Sequence, residues 1–376
     1  MTKSKKRNRL KNSGKEGRCT PRDLEIRGTI FEPPEVPKEP PRPPTPQETH
    51  ANNISMVEFG RMMMSLGRWA PLFRTELKDM NRGKVGRPYD FSDSLIFWMM
   101  QIMAMTGLSF RLTAGMTGPL LGLLGLPAPS YSRLQERVSA IGESIAGSTV
   151  SDSESRYGKG ILALVVCDNV TVRTRRVGVD STGLNLSDTT MWRLTKWDTG
   201  PKKRGWLKLH ALSDVDSGEI LAYAVTDDSV GDTPMLRTLV REASEAGHVF
   251  GTVYADGAYS SDRNWIYLCR ENGYRFITSF KSNTVPKNNG SAARGRAARL
   301  WCSLPYREWV EVSGYGTRWK VECVFSDLKR IFGETVTARK KENMVAQIVT
   351  KIESFNRYKA MRAGILRITG NQVSLV

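Results

Sequence analysis

The chain has 376 residues, of which 40% are hydrophobic and 9% aromatic, and this composition excludes disorder along its whole length. Its 56 Lys and Arg residues against 38 Asp and Glu residues give a formal net charge of +18, which favours nucleic acid first, and an anionic membrane surface second, as a partner. The five cysteines contain no Cys-x-x-Cys pair and there are only three histidines, so a disulfide framework, a zinc ribbon and a His-Glu-x-x-His zinc hydrolase are disfavoured.

Residues 1–50 predict a basic, proline-rich, disordered tail. Nine basic side chains and one glutamate fall within residues 1–22, and nine of the chain's 18 prolines lie between Pro21 and Pro46. Proline-rich segments favour extended, polyproline-like linkers. The tail is interpreted either as a solvated extension or as a basic arm that adds sequence-independent phosphate contacts. Prolines, and no apolar segment, follow the basic residues, so we expect no signal peptide.

Residues 51–146 predict a small all-helical domain, with ordered structure beginning near Ile54. Helical periodicity and capping residues indicate three segments, at 92–105, 109–124 and 130–141. The apolar first segment is well short of the roughly 20 residues that a membrane span needs. We therefore expect a soluble, intracellular protein.

The tight turn before the third helical segment is typical of a helix-turn-helix. In that interpretation Ser132, Arg133, Gln135 and Arg137 face DNA. The alternative is a plain helical bundle with a solvated last helix. Periodicity alone does not separate the two.

Residues 160–365 predict a mixed α/β domain. Strands are predicted at 161–166, 171–179, 206–212, 219–226, 249–255 and 274–280, and helices at 233–245, 262–271, 317–331 and 341–361. The Lys- and Arg-rich stretch Lys281–Arg299 predicts a basic loop. An antiparallel meander followed by alternating helices and strands indicates a sheet covered by helices, and this order is similar to that of a ribonuclease H-like core.

Two aspartates stand where apolar strands are predicted to stop. Asp180 follows the apolar residues Val-Gly-Val and precedes Ser-Thr-Gly. Asp256 follows Val-Tyr-Ala and precedes Gly-Ala-Tyr. A carboxylate at the C-terminal edge of a strand, followed by small residues, can hold a hard cation while a phosphate oxygen shares that cation. A single such aspartate is usually a turn or cap residue, but two in one domain favour a functional site.

A third acid belongs to a helical stripe. Tyr315, Arg318, Glu322 and Lys329 are spaced at i, i+3, i+7 and i+14, offsets that share one helix face. A salt-bridged surface is the usual explanation of such a stripe. The same spacing suits a metal-bound phosphodiester site, in which Glu322 completes the cation sphere while Arg318 and Lys329 hold phosphates.

The remaining acids of this region are less promising candidates. His210 alternates with apolar residues along a predicted strand, which favours a packed or hydrogen-bonded histidine over a catalytic one. A group of aspartates in the turns of the meander is interpreted as capping or solvated: Asp214, Asp216, Asp227, Asp228 and Asp232.

These motifs together resemble a known family. The spacing Tyr-x2-Arg-x3-Glu-x6-Lys, met by Tyr315, Arg318, Glu322 and Lys329, looks like the signature of insertion-sequence transposases with an Asp-Asp-Glu site. The segments around Asp180 and the second aspartate resemble that family's two Asp motifs in order. Upstream, Gly-Leu-Ser-Phe-Arg at 107–111 and Leu-Pro-Ala-Pro-Ser-Tyr-Ser-Arg-Leu at 126–134 resemble the helical region of the insertion-sequence-five type.

The resemblance implies a DDE transposase that cuts DNA at the ends of its element and joins the freed 3′-hydroxyl to target DNA. Asp180, Asp256 and Glu322 would be the catalytic residues and hold two Mg²⁺ ions, for which Mn²⁺ could substitute. Asp180 would bridge the ions, with Asp256 on one and Glu322 on the other. Tyr315, Arg318 and Lys329 would contact DNA.

Further expectations concern partners and location. The resemblance implies double-stranded DNA as the partner, both as element ends and as target, and a homodimer in a synaptic complex. It also implies a cytoplasmic, nucleoid-associated protein of a prokaryote. Two alternatives remain open: a ribonuclease H-like structure-specific nuclease or resolvase, and a non-catalytic DNA-binding protein. A transposase differs from the nuclease or resolvase because it joins strands, and from the non-catalytic protein because it nicks DNA in a metal-dependent way.

Overall fold

The computed structural model describes residues 45–147, 174–187, 206–227, 230–287, 290–363, 366–369 and 372–375. The predicted tail up to residue 44 and the predicted strand 161–166 lie outside these ranges. Within the part that is described, no helix is long and apolar enough to span a membrane.

Five helices form the N-terminal region, and the last three of them correspond to the predicted segments at 92–105, 109–124 and 130–141. Their bounds are α1 Pro46–Met64, α2 Leu66–Asn81, α3 Asp93–Thr106, α4 Phe110–Gly122 and α5 Tyr131–Gly147. The side chains of Ser92 and Ser109 accept backbone N–H bonds from the first turns of α3 and α4, which fixes where both helices begin. Gly107 ends α3 in the left-handed conformation, at a φ of 71°, which glycine adopts without strain.

The remaining chain alternates strands with helices. The strands are β1 Arg175–Leu186, β2 Trp206–Asp214, β3 Ile220–Asp227, β4 Phe250–Ala255, β5 Arg275–Thr278, β6 Thr335–Val336, β7 Leu366–Thr369 and β8 Gln372–Leu375. The helices are α6 Asp232–Glu245, α7 Asp262–Trp265 with a π-helical continuation Ile266–Glu271, α8 Ala292–Ser303, α9 Tyr306–Ser313, α10 Trp319–Phe332 and α11 Lys341–Arg362.

The main sheet has the order β3-β2-β1-β4-β5, with β6 beside the end of β1. Strands β1, β2 and β3 are antiparallel neighbours, whereas β4 runs parallel to β1 and β5 runs parallel to β4. This is the mixed, ribonuclease H-like sheet that the order of predicted elements indicated. Because β1 and β4 are parallel, their C-terminal ends lie at the same edge of the sheet.

Helices cover both faces of the sheet. On one face α6 packs Leu236, Leu239, Val240 and Ala243 against it, and this i, i+3, i+4, i+7 spacing is why the segment forms an amphipathic helix. On the other face α10 and α11 bury apolar side chains against β1 and β2. The sheet is therefore the middle layer of three.

Helix α11 also joins the N-terminal helices to the sheet. Its Ile348 and Ile352 belong to the apolar cluster beneath the sheet, on the face that α10 and α11 cover. Phe59 of α1 belongs to the same cluster. Its Ala346 belongs instead to the cluster formed by α2, α3 and α5. Buried Lys351 donates to the carbonyls of Gly333 and Thr335, both at 2.9 Å, which ties α11 to the turn after α10.

Three local predictions differ from the structure. Helix α1 begins at Pro46, ahead of the predicted start near Ile54. Strand β1 continues through Asp180 to Leu186, because its second half pairs with β2. The stretch Lys281–Arg299, predicted as a loop, contains the first turns of α8. Its alanines and arginines are good helix formers, although few of its residues are apolar.

Candidate active site

Asp180 and Asp256 are neighbours at the C-terminal edge of the parallel strands. Val179 of β1 pairs with Ala255 of β4, so the next residues along the two strands are Asp180 and Asp256. Adjacent strands lie about 5 Å apart, which brings both carboxylates to one place. The structure therefore brings together the first two predicted acids, one within a strand and one directly after a strand.

The two carboxylates are oriented by backbone hydrogen bonds. Asp180 Oδ1 accepts the N–H of Ser181 at 2.8 Å, and Asp256 Oδ1 accepts the N–H of Ala258 at 2.7 Å. The hydroxyl of Thr278 donates to the backbone carbonyl of Asp256 at 2.6 Å. Both side chains keep a second carboxylate oxygen that none of these bonds uses, which leaves it for a ligand.

Glu322 is linked to Asp180 through Arg318. Glu322 lies in the first turn of α10, and Arg318 belongs to the 3-10 turn Tyr315–Arg318 that precedes it. Arg318 Nη1 is hydrogen-bonded to Glu322 Oε1, while Arg318 Nη2 lies 3.7 Å from Asp180 Oδ2. The guanidinium thus places a positive charge between two of the three predicted acids.

Burial and charge act together on Asp180. Its side chain is 18% exposed, and desolvation raises the pKa of its carboxyl above the usual value. The negative charges of Asp256 and Glu322 raise this pKa further, whereas the Ser181 N–H and Arg318 lower it in part. Crowded carboxylates of this kind are the environment that a bound cation relieves.

The oxygen-only donor set suits a hard divalent cation such as Mg²⁺. Among the residues that the structure describes, no three acidic, histidine or cysteine side chains are gathered closely enough to ligate an ion as they stand. Glu322 is turned towards Arg318, and its side chain is 59% exposed. The three acids fit the cation chemically, and Glu322 has the freedom to turn.

The other two members of the predicted stripe lie on either side of this centre. Tyr315 donates its hydroxyl to Ser279 Oγ at 3.2 Å, and burial raises its pKa, so it stays a hydrogen-bond donor at neutral pH. Lys329 lies in the last turn of α10, with Nζ 3.9 Å from Glu334 Oε2. Tyr315 and Arg318 thus belong to a 3-10 turn, and Glu322 and Lys329 to the α-helix that follows it.

The residues predicted to face DNA on α5 differ in their surroundings. Arg133 is exposed and pairs with Glu136 at 2.9 Å. Gln135 lines a cleft of about 470 Å³ between α5 and the loop before α11. Arg137 is largely buried, where it pairs with Asp93 of α3 and stacks over Tyr89. Of these three, Arg133 has the side chain most accessible to a partner.

A polar cluster behind Asp180 was missed by the sequence analysis. Lys208 Nζ of β2 lies 2.7 Å from Asp232 Oδ1, and His210 Nδ1 lies 3.4 Å from the same oxygen. His210 is fully buried and hydrogen-bonded to Thr226 at 2.9 Å, as its alternation with apolar residues predicted. Asp232 is ion-paired and not simply solvated, because the fold brings β2 to the start of α6.

The pKa values of this cluster follow from the pairing. Burial alone would raise the pKa of Asp232, but hydrogen bonds from Lys208 and from the Ser181 hydroxyl hold it below the usual value. Ser181 and Asp180 are consecutive on β1, so their side chains point to opposite faces of the sheet. The cluster therefore supports β1 from behind the candidate site.

A ribonuclease H-like sheet that gathers Asp180 and Asp256 at one edge, with Glu322 across Arg318, defines the class of folds that carry an acidic triad. Residues 173–356 match the family model described as the transposase DDE domain. Over those residues the match confirms the resemblance to a DDE transposase domain that the motifs indicated. The assignment to the insertion-sequence-five type stays a prediction.

One solved structure aligns with most of the chain. It is described as a cryo-EM structure of the piggyBac transposase synaptic complex with hairpin DNA. The alignment has 10% sequence identity and a TM-score of 0.39, and it covers 88% of this chain and 80% of that chain.

Proposed function

We propose that this protein binds the ends of its own insertion sequence, cuts DNA there, and transfers the freed strand into target DNA. The observation that carries the proposal is the adjacency of Asp180 and Asp256 on parallel strands, with Glu322 linked to Asp180 through Arg318. The family match over residues 173–356 supports the same class of reaction.

Asp180, Asp256 and Glu322 would hold divalent metal, with two Mg²⁺ ions as the proposed complement and Mn²⁺ as a substitute. When bound, such ions activate a water or hydroxyl nucleophile and stabilise the leaving oxygen. Asp180 must be ionised for this role. Its raised pKa therefore makes metal loading weaken as the pH falls, because protons compete with the metal for the carboxylate.

The chain's own cations and donors would position the DNA strand. Arg318 can release Glu322 and turn towards a phosphate, since its guanidinium already lies at the centre of the site. Lys329, one end of the stripe, and Tyr315, the other, would contact phosphates to either side. Contacts of this kind fix where the strand lies without reading its sequence.

Sequence recognition is proposed for the N-terminal helices. In that proposal Arg133, Gln135 and Arg137 of α5 contact double-stranded DNA, with Arg133 available directly and Arg137 only after release from Asp93. A homodimer that brings two element ends together is proposed for the active complex. A prokaryotic, nucleoid-associated setting is proposed with it.

The direct test is the variant Asp180→Asn. We expect metal-dependent nicking of plasmid DNA to fall by about two to three orders of magnitude, while gel-shift binding of duplex DNA stays within about twofold. Asp79→Asn is the control, because Asp79 lies on α2 and pairs only with exposed Arg82 in the described structure. Full nicking by Asp180→Asn would remove Asp180 from the site.

Strand joining separates the alternatives. A transposase joins a pre-cut 3′ end to a target plasmid in the presence of Mg²⁺, whereas a structure-specific nuclease or resolvase cuts but does not join. A non-catalytic DNA-binding protein would do neither and would bind DNA equally well with or without metal. The product of joining is scored on a denaturing gel.

A further inference from the structure

A second polar cleft opens directly beyond Asp256. It has a volume of about 340 Å³, and its walls are the loop Gly257–Ser261, the start of α6, and the segment that follows β5. The residues that decide its chemistry are Ser260, Ser261, Lys281 and Arg294. Gly257 and Ala258 form the end of the cleft next to the candidate site.

The two serines present donors to this cleft. Ser260 Oγ accepts the indole N–H of Trp265 at 3.1 Å, and Ser261 Oγ accepts the backbone N–H of Asn264 at 3.2 Å. A hydroxyl has one hydrogen to donate in addition to its acceptor lone pairs. Since interior N–H groups use the acceptor side of both oxygens, the hydroxyl hydrogens are left to donate into the cleft.

The two cations add further donors. Arg294 donates its Nε–H to the carbonyl oxygen of Ser260 at 3.3 Å, and its guanidinium stacks over Phe280. These two contacts hold the guanidinium in place, and its Nη groups remain for a ligand. Lys281 is exposed. Among the described residues, neither Lys281 nor Arg294 forms an ion pair with an acidic side chain.

A cleft that is lined by two hydroxyl donors and two cations suits an anion whose oxygens only accept hydrogen bonds. Phosphate oxygens accept hydrogen bonds and donate none, and hydroxyls, Lys and Arg are their usual partners. The cleft is continuous with Asp256 through Gly257, where a side chain would be crowded by Ser279. An anion bound there would lie beside whatever occupies the carboxylate site.

We propose that this cleft binds a backbone phosphate of the DNA strand next to the scissile phosphate, with Lys281, Arg294, Ser260 and Ser261 as its partners. The proposal rests on the proposed function, because it needs DNA at Asp180 and Asp256. It adds a positioning site on the side of Asp256 away from α10. Arg318 and Lys329 lie on the α10 side, so the strand would be held on both sides of the reacting group.

The test compares two variants that each remove one positive charge. Lys281→Gln alters the cleft, and Arg270→Gln alters an exposed residue at the end of the π-helical segment, before β5, at the opposite edge of the sheet. Both are assayed for binding to a random-sequence 30-base-pair duplex at several salt concentrations, and for metal-dependent plasmid nicking. The random duplex suffices because phosphate contacts do not depend on sequence.

We expect Lys281→Gln to weaken duplex binding about threefold to tenfold and to lower the slope of log affinity against log salt by about one. Nicking at limiting DNA should fall by the same factor. Arg270→Gln should change neither slope nor nicking beyond about twofold. Ser261→Ala, which removes one donor but no charge, should weaken binding without changing the salt slope.

Two outcomes would overturn the proposal. If the wild-type protein nicks and joins DNA and Lys281→Gln matches Arg270→Gln, the cleft is not a phosphate site although the proposed function stands. If the wild-type protein does not bind duplex DNA, both proposals fail. A lowered salt slope in Lys281→Gln without any nicking by the wild type would support the cleft and count against the proposed reaction.

Discussion

Arg318 contacts two of the three candidate carboxylates at once. Its Nη2 lies 3.7 Å from Asp180, and its Nη1 is hydrogen-bonded to Glu322. A guanidinium in this position supplies some of the positive charge that clustered carboxylates need. It also gives a way to measure how strongly the acids interact.

Arg318→Gln should move the acid limb of the pH–rate profile to higher pH. Arg318 lowers the pKa of Asp180 against the larger effect of burial, so its removal lets that pKa rise. Asp180 would then be protonated at a higher pH, and activity would be lost sooner on acidification. The measurement is the nicking rate between pH 5 and 9, with an expected loss of about two orders of magnitude at neutral pH.

The matched variant is Arg318→Lys, which keeps the charge. It should leave the acid limb close to its wild-type position while it lowers the rate, since an ammonium cannot bond two partners in the same geometry. An acid limb that Arg318→Gln leaves unmoved would mean that Asp180 does not control it.

Asp180 also gives a stability prediction that needs no catalytic assay. Because its folded-state pKa is raised, the folded chain holds a proton that the unfolded chain has released, and stability falls as the pH rises through that interval. The amide that replaces the carboxyl in Asp180→Asn cannot ionise. Asp180→Asn should therefore be more stable than the wild type at pH 7 without metal, and the difference should disappear below the usual Asp pKa.

Added Mg²⁺ should reverse that difference. A cation that binds the folded acids stabilises the wild type by mass action, so its melting temperature should rise with Mg²⁺ concentration. The melting temperature of Asp180→Asn should rise little or not at all. Thermal unfolding followed by circular dichroism, with and without Mg²⁺, measures both effects, and equal shifts in the two proteins would contradict the prediction.

At the scale of elements, the site depends on how closely β1 approaches α10. Gly178 lies two residues before Asp180 on the same face of β1, and a Cβ there would overlap Val321 Cγ2 of α10. Val321 immediately precedes Glu322. The absence of a side chain at Gly178 therefore sets the distance between the strand that carries one acid and the helix that carries another.

Gly178→Ala should destabilise the fold by about 1–3 kcal/mol, the usual cost of overpacking, and should reduce nicking by moving α10 away from β1. The control is Gly115→Ala in the middle of α4, where a Cβ meets nothing within 4 Å. That change should stabilise by about 0.5–1 kcal/mol. Chemical denaturation measures the free energy of unfolding of both variants. An unchanged value for Gly178→Ala would mean that the contact between β1 and α10 accommodates the added methyl group.

Local sequence patterns were enough to place the elements whose packing is regular. Helix α6 and strand β4 fall within one residue of their predicted bounds, because their apolar residues follow the helical and extended periods. The strand through Asp180 was predicted to stop too early. Ser181, Thr182 and Gly183 are typical turn residues, and only pairing with the distant strand β2 keeps them extended.

The candidate site likewise contains some features that the sequence predicts and others that it does not. The adjacency of Asp180 and Asp256 was predictable, since both follow apolar runs of parallel strands that share an edge. The place of Arg318 between two acids was not, and neither was the pairing of Lys208 with Asp232. Those contacts depend on how elements distant in sequence come together, which no local period records.

At the scale of the whole molecule, α11 couples the N-terminal helices to the sheet. It packs against α3 and α5 on one side and contributes Ile348, Ile352 and Phe355 to the cluster beneath the sheet. Ser139 of α5 donates to Asn343 of α11 at 2.9 Å. If the N-terminal helices bind DNA as proposed, this contact transmits their position to the acids.

The tightest point of that contact is Gly142 of α5, where a Cβ would overlap the backbone carbonyl of Glu342 at the start of α11. A backbone atom cannot rotate away, so Gly142→Ala must push α5 off α11. We expect a loss of about 2–3 kcal/mol and faster amide hydrogen exchange in both helices. Because the sheet's own contacts are untouched, β1 and β4 should keep their protection, and duplex binding should weaken less than nicking.

Gly115→Ala on neighbouring α4 again serves as the control. Exchange that accelerates in β4 as much as in α5 would show instead that the two regions unfold as one unit, because α11 would then carry the disturbance into the sheet.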